Sequence, residues 1–272
     1  MLKKRVITAL WGIPLLIVVI WFGGELGFTI LVAIVGLVAA FEFYKMVAVA
    51  KVPPLTCFGL IWTLLFILSP YFNYDFLIPL LLTSAVVLPL IWLLFRLQRE
   101  MAFASWAWTV AGILYVGWLL SYLVALRGLD VGMEWVFLAL FTTFGSDTSA
   151  FFVGRALGKR PLAPHISPGK TWEGAIGGAL GSVIVNLVLV IPLNLPLSYG
   201  QAILLGFIVS VFGQLGDLIE SLLKRNMGVK ESGKLVPGHG GVLDRMDSLV
   251  LAGVVVYYYV LLFHNGWLNW LA

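Results

Sequence analysis

Residues 214–247 read QLGDLIESLLKRNMGVKESGKLVPGHGGVLDRMD, and apolar segments of membrane-spanning length flank them on both sides. The stretch holds five of the chain's thirteen acids (Asp217, Glu220, Glu231, Asp244, Asp247) and five of its seventeen lysines and arginines (Lys224, Arg225, Lys230, Lys234, Arg245). A chain only 11% charged thus puts a third of its charged residues into an eighth of its length. Charged groups are costly in or near hydrocarbon, and where they occur they face one another, a metal or a substrate path. The contrast with the flanks decides the fold class: an all-α polytopic membrane protein whose chemistry is gathered at one surface.

Composition agrees. The 272 residues are 61% hydrophobic with a mean hydropathy of +1.03, whereas a water-soluble chain carries roughly 25% charged residues. A single cysteine, Cys57, excludes a disulfide framework and any multi-thiolate zinc or iron–sulfur site, and reads as inert packing. The net charge of +4 does not point to nucleic acid, because the basic residues are dispersed between apolar runs.

A membrane span needs about 20 mostly apolar residues. Nine such runs follow one another, at about 6–22, 27–49, 55–72, 76–95, 104–126, 134–156, 173–195, 200–223 and 242–263. No small-residue cleavage site follows the first run, so it reads as an uncleaved helix. With the N-terminus cytoplasmic, sixteen of the seventeen basic residues fall on the inner side and Arg127 alone on the outer. That asymmetry obeys the positive-inside rule, and one missed span would scramble every later loop. The C-terminal HNGWLNWLA then lies outside, its tryptophans suited to the headgroup layer. Residues 1–130 read as scaffold helices and 131–272 as catalytic helices with cytoplasmic loops, all within one membrane domain. Glu42, the one acid well inside a span in the first half, stands three residues from Lys45 and reads as a local ion pair. The short length, without a targeting sequence or appended domain, points to a bacterial plasma membrane.

Acids enter the helices from the sixth run onward. Asp147 lies two turns before Arg155, about 12 Å below the basic edge. Gln214, Asp217, Ser221 and Lys224 line one face of the eighth run, and Asp244 and Asp247 open the ninth at i,i+3. Three helices therefore bring carboxylates to a similar depth on one side. Asp147, Asp217, Asp244 and Asp247 are oxygen donors of the type Mg²⁺ takes, one or two at a time, together with waters and phosphates. The loops carry the opposite sign. In HISPGKTWEG, Ser167 and Pro168 are placed as an N-cap and first-turn proline, which would aim free amides and Lys170 at an anion. GKT at 169–171 is not a P-loop, since Pro164 stands where the first glycine belongs and no strand is expected before it. Gly174, Gly177, Gly178 and Gly181 form small-xxx-small pairs suited to close helix packing. Near PGHGG, glycines let backbone approach a phosphate, while His239 is open between ligand, base and turn residue.

Carboxylates for Mg²⁺, basic loops for phosphates and a site at the inner surface together suit a nucleoside triphosphate meeting a lipid phosphate or hydroxyl. Such transfers need positioning and charge neutralisation above all. The run from Ser221 to Asp247 resembles the signature of the phosphatidate cytidylyltransferases, also called CDP-diacylglycerol synthases: S-x-x-K-R-x4-K-D, a spacer, then H-G-G-x-x-D-R-x-D. Ser221, Lys224, Arg225, Lys230, His239, Gly240, Gly241, Asp244, Arg245 and Asp247 match it, and Glu231 replaces the aspartate after the second lysine. The upstream SDTSAFFVGRALGKR and ISPGKTWEG blocks are similar to the same family, so the likeness covers most of residues 146–247.

The resemblance implies that CTP and phosphatidate give CDP-diacylglycerol and pyrophosphate, with Mg²⁺ and a second cation as the cofactors considered, in a multi-pass membrane enzyme that forms a homodimer. It implies metal binding by Asp147, Asp217, Asp244 and Asp247. Catalysis would rest on Lys170, Lys224, Arg225, Arg245 and Asp247, and substrate contacts on Ser167, Lys170, Ser221, Lys224, Arg225, Lys230, His239, Gly240 and Gly241. Two alternatives stay open: a CTP-dependent kinase of a polyprenol or similar lipid alcohol, and a cation or proton transporter.

Overall fold

The computed structural model describes residues 12, 14–72, 74, 76–95, 101–235 and 240–264. Lys3, Lys4, Arg5, Arg96, Arg99, His239 and the tryptophan-bearing C-terminal tail, on all of which expectations were placed, lie outside the described residues. The chain forms two compact units, one of Met1–Gly128 with Lys224–Arg245 and the other of Leu129–Leu223 with Met246–Ala272.

The first unit contains α1 (Gly24–Val49), α2 (Thr56–Phe72), α3 (Leu77–Leu94) and α4 (Ala102–Arg127). The 26 residues of α1 run about 39 Å, enough to cross a hydrocarbon layer of about 30 Å. Tyr44 joins three of these helices. Its ring fills the space left by Gly59 on α2 and Gly112 on α4, and its hydroxyl donates to the carbonyl of Thr109 at 3.0 Å. A π-helical turn over Ile113–Trp118 interrupts α4 beside Gly117, whose missing side chain admits the backbone of Thr63. On α3, Leu80, Val87, Ile91, Trp92 and Leu94 stay exposed, as lipid-facing residues do. Cys57, expected to be packed, is exposed.

The second unit contains α5 (Gly132–Leu157), a hairpin of β1 (Pro161–Ala163) and β2 (Ser167–Thr171), α6 (Trp172–Val190), α7 (Tyr199–Asn226) up to Leu223, and α8 (Leu243–Tyr259) from Met246 onward. Glycines let α5 and α6 lie against each other. A methyl on Gly177 would strike Val153, and one on Gly181 would strike Ser149, so the small-residue spacing is a packing device as expected. Polar side chains buried between these helices are satisfied internally. Thr142 Oγ1 donates to Asn186 Oδ1 (3.0 Å), Asn186 Nδ2 to the Ala202 carbonyl (2.7 Å) and Ser182 Oγ to the Gly206 carbonyl (2.6 Å). No water is available within hydrocarbon, so each such group needs a protein partner.

Among the described residues, seven helices are long and apolar enough to cross a membrane, and Thr56–Phe72, at 17 residues, is shorter. The first expected run is described as helix only at residue 12 and from 14 to 22. The all-α expectation needs one correction. Pro161–Ala163 pairs antiparallel with Ser167–Thr171, so Ser167 lies in a strand and does not cap a helix starting at Pro168.

Candidate active site

In the second unit the hairpin sets the position of Lys170. The amides of Lys159 and Arg160 donate to the Glu173 carboxylate (3.0 and 3.2 Å), tying the chain before β1 to the first turn of α6. Thr171 is the actual N-cap, its Oγ1 accepting from the Gly174 amide at 3.1 Å. Lys170 leaves the last strand residues just ahead of this cap and places Nζ 2.7 Å from Asp217 Oδ2. On the other side of that carboxylate, Ser221 Oγ donates to Oδ1 at 3.3 Å.

A cavity of about 450 Å³ opens here, lined by Asp147, Arg155, Lys170, Thr171, Gln214 and Asp217 among others. Gln214 is fixed by donating to Ser210 Oγ (2.9 Å) and to the Ala175 carbonyl (3.1 Å). Asp147 accepts from Ser248 Oγ at 3.4 Å, and its charged neighbours are Asp247, Asp217 and Lys170. Asp247 Oδ1 accepts from the Ser248 amide at 2.8 Å. Gly216 on α7 leaves room for the Asp247 backbone carbonyl, which a side chain there would strike. Three of the four expected carboxylates and Lys170 therefore belong to one region of this unit.

The fourth carboxylate sits in the first unit, in a different setting. Asp244 is 7% exposed, and its Oδ1 accepts from Lys224 Nζ at 2.6 Å. Its Oδ2 accepts from the amides of Ser232 (3.0 Å) and Gly241 (2.8 Å). Gly240 has φ +84°, a left-handed conformation that disfavours side chains, and a Cβ there would meet Asp244 Oδ2. Arg225 is exposed and donates to the Val229 carbonyl at 3.4 Å, while Lys230 and Arg245 are also exposed.

The first unit also corrects the expected Glu42–Lys45 ion pair. Glu42 is 2% exposed and accepts from Ser232 Oγ (3.1 Å) and the Leu243 amide (3.0 Å). The expected partner, Lys45, lies instead over the Phe41 ring at 4.5 Å from its centroid. The signal was present: an acid alone within a span is a functional candidate by default.

Among the described residues, no three His, Cys, Asp or Glu side chains stand together as a ready-made metal cage. The cavity nevertheless offers carboxylate oxygens and, among its lining residues, neither thiol nor imidazole. That donor set fits a hard cation shared with substrate phosphates, because Mg²⁺ keeps several waters and takes only one or two carboxylates.

Comparison with known proteins bears on what this arrangement does. The model of the "Cytidylyltransferase family" matches residues 3–263. A Bacillus subtilis (strain 168) protein named phosphatidate cytidylyltransferase is 36% identical over 96% of this chain and 98% of its own. A Brucella abortus protein of the same name is 34% identical over 96% of this chain and 94% of its own. An Arabidopsis thaliana protein named phosphatidate cytidylyltransferase 5, chloroplastic, is 36% identical over 95% of this chain and 71% of its own.

Proposed function

We infer that this chain, which belongs to the cytidylyltransferase family, transfers the cytidylyl group of CTP to phosphatidate, forming CDP-diacylglycerol and pyrophosphate. The observation that carries the reading to this fold is a cavity presenting Lys170 beside Asp147 and Asp217. A cation-bound triphosphate asks for both signs of charge at one place.

The reaction requires little covalent help from protein. A phosphate monoester has a second pKa of about 6, so the lipid phosphate is mostly dianionic at neutral pH and needs no strong base. One of its oxygens attacks the α-phosphorus in line, the bond from that phosphorus to the α,β-bridging oxygen breaks, and pyrophosphate leaves with the electron pair. Positioning and charge neutralisation then supply the acceleration. Lys170 is already fixed on Asp217, so an arriving phosphate competes with that carboxylate for the ammonium. We assign Asp147, Asp217, Asp247 and Asp244 to cation binding, and Lys170, Lys224, Arg225 and Lys230 to phosphate oxygens. We assign Ser167, Ser221, Gly240 and Gly241 to substrate contacts, with Ser221 placed by its bond to Asp217. Mg²⁺ held by these carboxylates would neutralise non-bridging phosphate oxygens.

The experiment uses purified protein, phosphatidate, Mg²⁺ and CTP labelled with ³²P at either the α or the γ position. Label from the α position enters the chloroform phase and label from the γ position does not. The reverse pattern would establish a lipid kinase and remove this reading.

We also propose nine spans with the N-terminus cytoplasmic and the C-terminus outside, a homodimer, and residence in the cell membrane with the site on the cytoplasmic side. The basic residues, sixteen of seventeen on one side under that topology, support the orientation. After replacing Cys57, single cysteines at the two termini should react with an impermeant maleimide on intact cells only at the C-terminus. Labelling at both ends would require an even number of spans.

A further inference from the structure

Glu42 has no role in the reaction outlined above, yet it is among the most buried charged side chains of the first unit. Its Oε2 accepts from two points of the signature loop, the hydroxyl of Ser232 and the amide of Leu243, 190 and 201 residues away in sequence. The Leu243 amide is one of the unpaired donors at the start of α8, where a carboxylate is favoured by the helix dipole. Ser232 serves two acids at once: its hydroxyl goes to Glu42 and its amide to Asp244. The loop is also cut to fit the carboxylate. The three atoms nearest a Cβ on Gly233 all belong to the Glu42 side chain, and one on Gly241 would meet Ser232 Oγ, Glu42 Oε2 and the Gly233 amide nitrogen.

We propose that Glu42 is a positioning residue for the reaction: it holds both ends of the Ser232–Leu243 loop so that the amides of Ser232 and Gly241 and the ammonium of Lys224 converge on Asp244. Glu42 touches neither substrate nor reacting atoms. It acts through Asp244, and this rests on Asp244 belonging to the cytidylyltransferase machinery. Without Glu42, the Ser232 hydroxyl and the Leu243 amide lose the acceptor that sets them beside Asp244. Misplacement by about 1 Å lowers turnover about 10²-fold.

The test compares the full chain in detergent with Glu42→Ala, Glu42→Gln, Gly233→Ala and the double variant. Hydrogen exchange at the Ser232, Gly241 and Leu243 amides is read alongside kcat and KM. Glu42→Ala should lose protection at those three amides while α5 keeps its own, and kcat should fall about 10²-fold with KM for CTP within about threefold. Glu42→Gln keeps one oxygen able to accept both bonds, so it should retain loop protection and kcat within about fivefold. Gly233→Ala should reproduce the loss by displacing the carboxylate. In the Glu42→Ala background the three atoms nearest the added methyl are gone, so the double variant should be no worse than Glu42→Ala alone.

The proposal is overturned if Glu42→Ala keeps loop protection and turnover, if Glu42→Gln is as impaired as Glu42→Ala, or if the two losses simply add. Should Glu42→Ala fail to fold, Glu42→Gln and Gly233→Ala decide between clamp and packing by the same amides. Absence of transfer from CTP by the unmodified protein would remove the reaction instead, while the exchange pattern would still decide the clamp.

Discussion

The two units treat their acid side chains in opposite ways. In the first, Asp244 receives a lysine and two backbone amides, and Glu42 receives a hydroxyl and an amide. In the second, Asp147 receives one hydroxyl at 3.4 Å, and Asp217 receives Lys170 and a hydroxyl at 3.3 Å beside an open cavity. A carboxylate removed from water must be bonded or neutralised. Where the protein supplies most of the donors, the acid is held in one orientation. Where donors are few and a cavity adjoins, the acids keep oxygens open to the cation and substrate proposed above.

Substituting each type of acid should separate these roles. Asp244→Asn has the larger total effect. It strips the charge from the carboxylate of a pair whose side chains are 12% and 6% exposed. Breaking one partner of a buried pair destabilises by about 3–5 kcal/mol, so the thermal transition should fall together with turnover. Asp217→Asn should lower turnover about 10²–10³-fold, the effect of losing one well-placed electrostatic group. Its side chain is 31% exposed and its ion pair contributes at most about 1 kcal/mol, so the thermal transition should barely move. Equal loss of stability in both variants would erase the distinction between clamp and open site.

The same contrast explains what the sequence could reveal. Apolar runs and glycine spacing are local signals, and they located α1 to α8 and the close helix packing that Gly177 makes, though not Val153 as its partner. The aspartates stood out because charge in a span is rare. The start of α6 was misread because Ser167-Pro168 has the local chemistry of a helix start. Strand pairing with Pro161–Ala163 overrode it and passed the cap to Thr171. Glu42 was misread for the same reason in stronger form. Lys45 is visible three residues away, whereas Ser232 and Leu243 are brought near only by folding. Hydropathy also says nothing of which acids the protein will satisfy by itself, because those donors are mostly backbone amides.

Salt should separate the two lysines by a small but readable margin. Screening lengths shrink from about 10 Å at 0.1 M to about 3 Å at 1 M, and the effect is greatest for pairs that water can reach. Lys170 and Asp217 are 24% and 31% exposed, and Lys224 and Asp244 are 12% and 6% exposed. Weakening the first pair by about 0.5 kcal/mol would roughly double the fraction of Lys170 free of its carboxylate. Acylation of lysines by a water-soluble ester, quantified peptide by peptide, should therefore rise about twofold at Lys170 between those salt concentrations and stay unchanged at Lys224. A matching rise at Lys224 would mean that solvent reaches both pairs alike, and that the enclosed acid of the first unit is as open to exchange as the acids lining the cavity.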